Sequence, residues 1–337
     1  MSGDRRGRSR SHDSRTRRGA DDRSADVRSL GGRLAAPEVL DSVGRGLVDR
    51  IGSADRRRLS LYLLLIVLLA LYLSPLWSGL TTAFKTAAEF ATTTPLTPPG
   101  PAGFTAEPWF EAWGRLRFAM INSVLFVVPA TILSAFLGSL AAYGLTKIDW
   151  RGQLAILLLF LAGVFIPYQS VLVPLRQFWS AVDLASLLAF WPTLAARADL
   201  IELAVTHTAY GIPICTILFR GYYLTIDDSI VEAARLDGAS AVRVYWRIIL
   251  PLSKPMFAVT LIYQFTNIWN DLLFALVLVT TSRNFVATQS LNELQGAMVG
   301  QYNLQMAGAF LVAMPTLIIY VVFGRQFARG LAGESGT

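Results

Sequence analysis

The chain has 337 residues and a formal net charge of +7, with 53% hydrophobic and only 16% charged residues. Soluble domains usually carry about 25% charged residues, so this composition argues against a soluble enzyme and against a chain disordered throughout, and indicates a membrane protein. A single cysteine and two histidines exclude a disulfide framework and a cysteine zinc site and make a histidine-rich metal site unexpected, so we expect no metal.

The positive charge is concentrated in the N-terminal region, residues 1–58. This region holds 15 arginines and 9 acidic residues, whereas the remaining 279 residues carry a net charge of only +1. Residues 1–35 lack aromatic side chains and are rich in Arg, Asp and Ser, so we expect them to be disordered. Residues 36–52 have the pattern of a short amphipathic helix lying on the membrane surface. We therefore predict a disordered or amphipathic basic tail over 1–58, with membrane lipid but no nucleic acid as a partner of the chain.

Six apolar stretches are long enough to cross a bilayer, because a hydrocarbon core about 30 Å thick requires roughly 20 helical residues. They cover residues 59–80, 118–147, 154–175, 200–223, 256–281 and 306–327. Kinks are expected at the prolines within them: Pro129, Pro167, Pro213 and Pro315. A shorter apolar stretch, 184–196, predicts an interfacial or re-entrant helix. The sequence thus predicts an all-α, polytopic membrane protein, with a transmembrane domain over 59–333 and a short end at 334–337.

The distribution of Lys and Arg predicts the orientation of the chain. Three arginines, Arg56–Arg58, directly precede the first span, which places the N-terminus in the cytoplasm. With six crossings the C-terminus is also inside, and 12 basic residues then lie in or beside inside loops against 6 outside. An external loop over 81–117, rich in proline and aromatic residues, follows the first span.

A long inside loop, residues 220–255, is predicted between the fourth and fifth spans. Asp227 suits a helix N-terminus, where a side-chain oxygen and negative charge satisfy free amides. Gly238 permits the left-handed conformation that ends helices, so the first helix is short. Ser240 suits the cap of a second helix, which Pro251 is expected to stop.

The first of these two helices has the features of a docking element. Ala233 and Ala234 have small side chains that permit close approach to a partner's groove. Glu232 and Asp237 can pair with basic groups, and a turn at Gly238 would let a docked helix pivot. From spacing alone, an amphipathic connector resting on lipid headgroups is an equally good interpretation.

The same loop carries a resemblance to a known family. The sequence E-A-A-R-L-D-G-A at Glu232–Ala239, followed by Pro251 and Pro255, resembles the EAA signature of binding-protein-dependent ABC importer permeases. Further similar residues are Asn122-Ser123, Ala141–Leu145, Trp150–Gly152, Pro167, Phe219–Tyr223, Trp269–Asp271 and Gly330–Gly333. The similarity covers about residues 59–333 and is greatest to the carbohydrate-importer branch, in particular to the second permease of the maltose system.

The resemblance implies a type I ABC importer permease fold and a subunit of an ATP-driven sugar importer in the cell membrane. In that family this loop is a coupling helix that sits in a cleft of the ATP-hydrolysing subunit. The implied coupling residues are Glu232, Ala233, Ala234, Asp237, Gly238 and Pro251. The implied partners are a second homologous permease, an ABC ATPase dimer and an extracellular solute-binding protein.

No catalytic residues are expected in this chain. It contains no G-x-x-x-x-G-K-[ST] phosphate-binding loop, so ATP and magnesium are expected on the partner ATPase.

Polar side chains inside the spans are candidates for a substrate pathway. Gln264, Asn267 and Asp271 lie at i, i+3 and i+7 of the fifth span and would share one helix face, with Asn270 beside it. Three residues of the fourth span are further candidates: Glu202, His207 and Tyr210. These groups can hydrogen-bond sugar hydroxyls, but they can equally form the interhelical bonds that fix packing in membranes.

Two other function classes remain open from the residues alone. An ion-coupled secondary transporter would need a buried acid that titrates, for which Asp271 is the candidate. An ABC permease for an amino acid or peptide is also compatible, because the sugar assignment depends on the resemblance. A membrane-embedded enzyme would need a catalytic cluster, and the sequence offers none.

Overall fold

The computed structural model describes the backbone of residues 36–297 and 300–331, and the side chains of 57–295 and 300–324. The tail expected to be disordered, residues 1–35, and the C-terminal end, 334–337, lie outside the described residues. Within the described residues the regular structure is helical, with one isolated antiparallel bridge between Lys85 and Phe104.

The helices occur in the following order: α1 Ala36–Ala83, α2 Ala87–Thr92, α3 Glu107–Gly144, α4 Gln153–Val164, α5 Tyr168–Val182, α6 Leu184–Leu187, α7 Pro192–Ala195, α8 Ala198–Tyr223, α9 Asp228–Leu236, α10 Ala241–Val244, α11 Leu250–Leu252, α12 Lys254–Trp269, α13 Leu273–Leu278, α14 Ala287–Ala297 and α15 Tyr302–Leu331. A π-helical turn, Tyr245–Ile249, joins α10 to α11, and a 3₁₀ turn, Ser282–Asn284, precedes α14.

The chain divides into two units, residues 1–70 and 71–337. The described part of the first unit is the beginning of α1. Residues 36–52 are helical, as expected, but their helix is not a separate short one, since α1 runs without a break from Ala36 to Ala83. Gly52 and Ser53 do not interrupt it, because each weakens a helix by only about 1 kcal/mol or less.

The described residues contain four single helices that are long and apolar enough to cross a membrane: Arg57–Ala83, Glu107–Gly144, Ala198–Tyr223 and Tyr302–Gly324. Two bent pairs also qualify, so the number of spans is four, or up to six if each pair is one span. The first pair, Gln153–Val164 and Tyr168–Leu187, bends by 100° where one helix was expected over 154–175. Pro167 causes this break, because it lacks an N–H and disfavours α conformation in the residue before it.

The predicted fifth span, 256–281, is wrong as a single helix. α12 ends at Trp269, and α13 begins only at Leu273. The side chains of the intervening residues stabilise the break: Asn270 Nδ2 donates to the Thr266 carbonyl at 2.8 Å, and the Phe274 N–H donates to Asp271 Oδ2 at 3.0 Å. The second bent pair instead joins Ala241–Leu252 to Lys254–Trp269 at 76°.

The loop expected over 81–117 is shorter than predicted. It contains α2, and α3 already begins at Glu107, with Pro108 in its first turn where a missing N–H is tolerated. The fully buried Lys85 secures the loop by donating from Nζ to Thr93 Oγ1 at 2.9 Å and to the Thr94 carbonyl at 2.8 Å. The stretch 184–196 forms the two short helices α6 and α7.

Helices α3 and α8 pack closely along much of their length. A Cβ atom added at Gly138 would lie 2.4 Å from Cys215 Cβ, so the glycine lets the two backbones approach. Small residues at such contacts are typical of helix pairs in membranes. Residues of this pair belong to two apolar cores, one of which includes Trp269 of α12 and the other Tyr245 of the π-helical turn.

Candidate functional site

The first candidate site is the α9 segment, which we define as residues 225–253. Its local structure follows its capping residues. The Ser229 N–H donates to Asp227 Oδ1 at 2.9 Å, and this bond holds the pKa of the Asp227 carboxyl below its ordinary value. α9 then runs from Asp228 to Leu236, as the sequence predicted.

The end of α9 is a Schellman motif. Gly238 has φ +79°, its N–H donates to the Arg235 carbonyl at 2.9 Å, and the Ala239 N–H donates to the Ala234 carbonyl at 3.0 Å. This geometry requires a left-handed residue and favours glycine. Ser240 caps the next helical run, accepting from the Arg243 N–H at 3.4 Å. The predicted turn at Gly238 and cap at Ser240 are therefore confirmed.

The expectation that Pro251 stops the second helix is wrong. The run from Ala241 continues through Pro251 to Leu252. The π-helical turn over Tyr245–Ile249 directly precedes this region and shifts the backbone hydrogen-bond register. The helix can therefore accommodate the ring of Pro251 and its missing N–H. The run ends at Ser253, whose hydroxyl donates to the Ile249 carbonyl at 2.7 Å.

Side chains from α3 and the α3–α4 connection hold the α9 segment. Lys147, with a side chain only 3% exposed, donates from Nζ to Asp228 Oδ1 at 2.5 Å and to the Ile226 carbonyl at 2.6 Å. The Arg235 guanidinium donates back to the Lys147 carbonyl. Tyr143 Oη donates to the Ala241 carbonyl at 3.0 Å, so both helical parts of the segment are fixed to the bundle.

A group of buried hydroxyls adds a second connection. Ser139 Oγ of α3 lies 2.6 Å from Tyr223 Oη of α8 and 2.9 Å from Tyr245 Oη of the α9 segment. Three elements therefore meet at one hydrogen-bonded point.

The α9 segment presents one face to the bundle and one to the outside. Val231 and Val244 are buried, and Ala234 is half-buried against the same core. Leu236 is 89% exposed and Val242 67% exposed. The other predicted coupling residues are exposed: Glu232, Ala233, Asp237, Gly238 and Pro251.

The second candidate site is a cavity of about 170 Å³ between α4–α5, α8 and α12. Four of the predicted pathway residues line it together: His207, Tyr210, Gln264 and Asn267. The wall also includes Tyr168, Gly211 and Tyr263. Asn267 Nδ2 donates to the Tyr263 carbonyl at 2.9 Å, and Tyr210 Oη donates to the Ile166 carbonyl at the break between α4 and α5.

Asn270 and Asp271 do not line this cavity. The helical stripe that grouped Asp271 with Gln264 does not continue, because α12 ends at Trp269. Asp271 Oδ2 instead lies 3.5 Å from His207 Nε2, behind the cavity wall. Sequence reasoning missed Tyr168 and Tyr263, and the position of Tyr168 directly after Pro167 was the signal for an aromatic residue at a helix break.

Among the residues whose side chains are described, no group of three or more His, Cys, Asp or Glu converges in a way that could hold a metal ion.

Comparisons with known proteins identify the family. The family described as "Binding-protein-dependent transport system inner membrane component" matches residues 101–332. The chain is 47% identical over 296 residues to "Xylose/arabinose import permease protein XacI" of Haloferax volcanii, covering 85% of this chain and 95% of that protein. It is 44% identical over 275 residues to "Probable ABC transporter permease protein PH1216" of Pyrococcus horikoshii, covering 81% of this chain and 94% of that protein.

A solved structure confirms the fold. The crystal structure of a bacterial ABC transporter involved in the import of the acidic polysaccharide alginate contains a chain with a TM-score of 0.62 and 19% identity, covering 83% of this chain and 98% of that chain. This likeness confirms the predicted all-α permease fold. The chain therefore belongs to the family of inner membrane components of binding-protein-dependent transport systems.

Proposed function

We propose that this chain is a permease subunit of an ATP-driven ABC importer for sugars. Family membership supports the transport role, since the match extends over residues 101–332. The sugar assignment is supported by the 47% identity to a protein named as a xylose/arabinose import permease.

The α9 segment is the docking site for the ATP-hydrolysing subunit in this proposal. The observation that carries it is the outer surface of the segment. Leu236 is 89% exposed and lies one helical turn from the exposed Glu232. The opposite side of the segment is held to the bundle by Lys147. An apolar anchor flanked by acidic groups on a rigid support fits a partner groove with basic groups at its rim.

The proposed complex contains a second homologous permease, an ATPase dimer that carries ATP and magnesium, and an extracellular solute-binding protein. The N- and C-termini and the α9 segment lie on the cytoplasmic side. The excess of Lys and Arg on the inside loops, 12 against 6, supports this orientation.

The cavity is the part of the translocation pathway contributed by this chain. Gln264, Asn267 and Tyr210 provide amide and hydroxyl groups near the break between α4 and α5 and near the end of α12. Irregular backbone within a membrane is tolerated where it is buried in protein or lines a cavity, and polar side chains there are typical of a substrate path.

Transport measurements with selective energy sources test the proposal. Cells expressing the complete transporter should lose sugar uptake when ATP is depleted and retain it when an ionophore dissipates the ion gradients. Uptake that survives ATP depletion and stops with the ionophore would instead identify an ion-coupled transporter. Asp271, whose side chain is 11% exposed, would then be the first residue to test by substitution.

A further inference from the structure

An apolar groove lies on the side of the helix bundle, between α3, α12 and α15. Its volume is about 530 Å³, and its walls include Ile132 of α3, Phe257 and Leu261 of α12 and Phe323 of α15. Ile132 is 54% exposed and Phe323 44% exposed, so the described part of the chain leaves the groove open. Lys254 is the one charged residue of the lining.

The groove begins at the end of α12 that lies on the proposed cytoplasmic side. Lys254 is the first residue of this helix and is exposed, and Phe265 is the last residue of α12 in the lining. The helix rises about 16 Å between them. This length is close to half of a hydrocarbon core about 30 Å thick, so the groove matches the depth of one leaflet.

The ammonium group of Lys254 lacks a counter-ion within the described part of the chain, where the ion pairs are formed by other residues. The carbonyls that precede it are already bonded, because Tyr222 Oη donates to the Leu252 carbonyl at 2.9 Å and the Ser253 hydroxyl donates to the Ile249 carbonyl at 2.7 Å. A cation at the N-terminus of a helix also faces the positive end of the helix dipole. An anion bound here would therefore stabilise both the lysine and the start of α12.

Aromatic and basic side chains near this end of the groove are typical of the level of lipid headgroups. Trp246 is exposed, and its ring lies 5.7 Å from that of Phe136, which is one turn beyond Ile132 on α3. Tryptophan is enriched where a membrane meets water. The next residue, Arg247, is an exposed second cation.

The length and the charge of the groove favour a lipid over a partner helix. A helix of a second permease would cross the whole bilayer and would need an apolar surface about 30 Å long, whereas this groove is about half as long and begins at a cation. A phospholipid has a hydrocarbon tail as long as one leaflet and a phosphate at its end. Basic pockets between helices on the cytoplasmic side are known to bind anionic headgroups.

From these observations we infer that the groove binds one anionic phospholipid of the cytoplasmic leaflet, with a hydrocarbon tail between α3, α12 and α15 and its phosphate group at Lys254. The inference goes beyond the proposed function, because this ligand is not cargo. Lys254 directly follows the α9 segment, so a bound lipid would stabilise the connection between that segment and α12.

Photo-cross-linking in vesicles tests the inference. The complete transporter, purified with its partner subunits, is reconstituted into phosphatidylcholine vesicles that contain a small fraction of phosphatidylglycerol with a diazirine in one tail. After illumination, mass spectrometry should find the label on residues 254–265, and phosphatidylcholine with the same diazirine tail should label them less. Lys254→Gln should lower labelling by phosphatidylglycerol about fivefold, because one basic residue contributes about this factor to the binding of anionic lipid. Lys254→Arg should retain it.

Arg243→Gln is the matched control. Arg243 is an exposed cation of the same α9 segment but does not line the groove, so labelling should equal that of wild type. Ala258→Phe, which fills the groove, should lower labelling by phosphatidylglycerol although Lys254 is retained. All variants are compared as assembled complexes isolated by size exclusion.

Three results would overturn the inference: equal labelling by the two lipids in wild type, unchanged labelling in both Lys254→Gln and Ala258→Phe, or an equal loss in Arg243→Gln. Absence of label on residues 254–265 from either lipid would also overturn it and would indicate that a protein helix fills the groove. The proposed function is tested separately, because labelling requires neither ATP nor cargo.

Discussion

Lys147 is a buried cation, and among the residues whose side chains are described its only carboxylate partner is largely solvent-exposed. Its side chain is 3% exposed and that of Asp228 is 75% exposed. An exposed ion pair contributes little to stability. The bond to the Ile226 carbonyl therefore matters as much as the ion pair, because it satisfies a backbone acceptor just before α9 begins.

Lys147→Met should loosen α9 without unfolding the bundle. It removes both bonds of the ammonium group and leaves a backbone acceptor without its donor, at a cost of about 1–3 kcal/mol. Amide hydrogen exchange over residues 228–236 should become faster, while exchange in α8 stays unchanged. Asp228→Asn keeps an oxygen that can accept from Lys147, so its effect on amide exchange should be smaller. Equal amide exchange rates over α9 in wild type and in Lys147→Met would contradict the account.

The backbone conformation at Gly238, and not the space around it, limits which residues can replace it. Its φ is +79°, yet a Cβ atom there would meet no atom within 4 Å. Gly238→Ala and Gly238→Leu should therefore cost the same, about 1–2 kcal/mol, because the left-handed conformation carries the penalty and the side chain points into open space. Gly238→Asn should cost less.

Thermal unfolding of the purified complex measures this difference. Gly221→Ala is the control, since Gly221 lies inside α8 with open space around it and no positive φ. It should be neutral or stabilising. If Gly238→Leu unfolded at a much lower temperature than Gly238→Ala, the side chain would meet a steric constraint, which would contradict the account.

At the scale of elements, Gly138 is one of the residues that let α3 and α8 approach closely. Gly138→Ala would place a methyl group 2.4 Å from Cys215 Cβ and 3.0 Å from the backbone, so the two helices must separate. Such overpacking costs about 1–3 kcal/mol. Gly144→Ala, at the end of the same helix with nothing within 4 Å, should leave stability unchanged. The midpoint of thermal unfolding should fall only in the first variant, and equal midpoints would contradict this packing.

The elements also differ in how far sequence could predict them. Hydropathy located the membrane helices, because burial in lipid requires long apolar runs. It failed at the end of α12, where Asn270 and Asp271 stabilise a break through side-chain bonds that a hydropathy average does not register. The caps of α9 were predictable, because Asp227, Gly238 and Ser240 act on residues close to them in the chain.

Contacts between distant residues were not predictable. Lys147 reaches Asp228 across 81 positions of the sequence, and Ser139 reaches Tyr245 across 106. The cavity combines residues of four helices, α4, α5, α8 and α12, so Tyr168 and Tyr263 could be recognised as lining residues only from the fold. A single sequence shows which polar residues lie inside a predicted span, but it does not show which of them line the same cavity.

At the scale of the whole molecule, one helix connects the two candidate sites. α12 begins at Lys254, directly after the α9 segment, and carries Gln264 in the cavity wall. Ten helical residues between them span about 15 Å. The α9 segment is also fixed to α3 by Tyr143 and to the α3–α4 connection by Lys147. We therefore expect a displacement of α9 to move α12 and α3 together and to change the shape of the cavity.

Photo-cross-linking through a thiol-reactive benzophenone attached to a cysteine at position 233 tests the central claim, that the exposed face of α9 docks on an ATP-hydrolysing subunit inside the cell. Ala233 is exposed on α9, and the single natural cysteine, Cys215, is buried and can first be replaced by serine. Phe190→Cys, at an exposed position 78% accessible on the predicted outside face, is the control. In membranes containing the complete transporter, Ala233→Cys should cross-link to the ATPase and react only with thiol reagents that enter the cytoplasm, and Phe190→Cys should do neither. Failure of Ala233→Cys to capture an ATPase, or its labelling from outside the cell, would contradict the account.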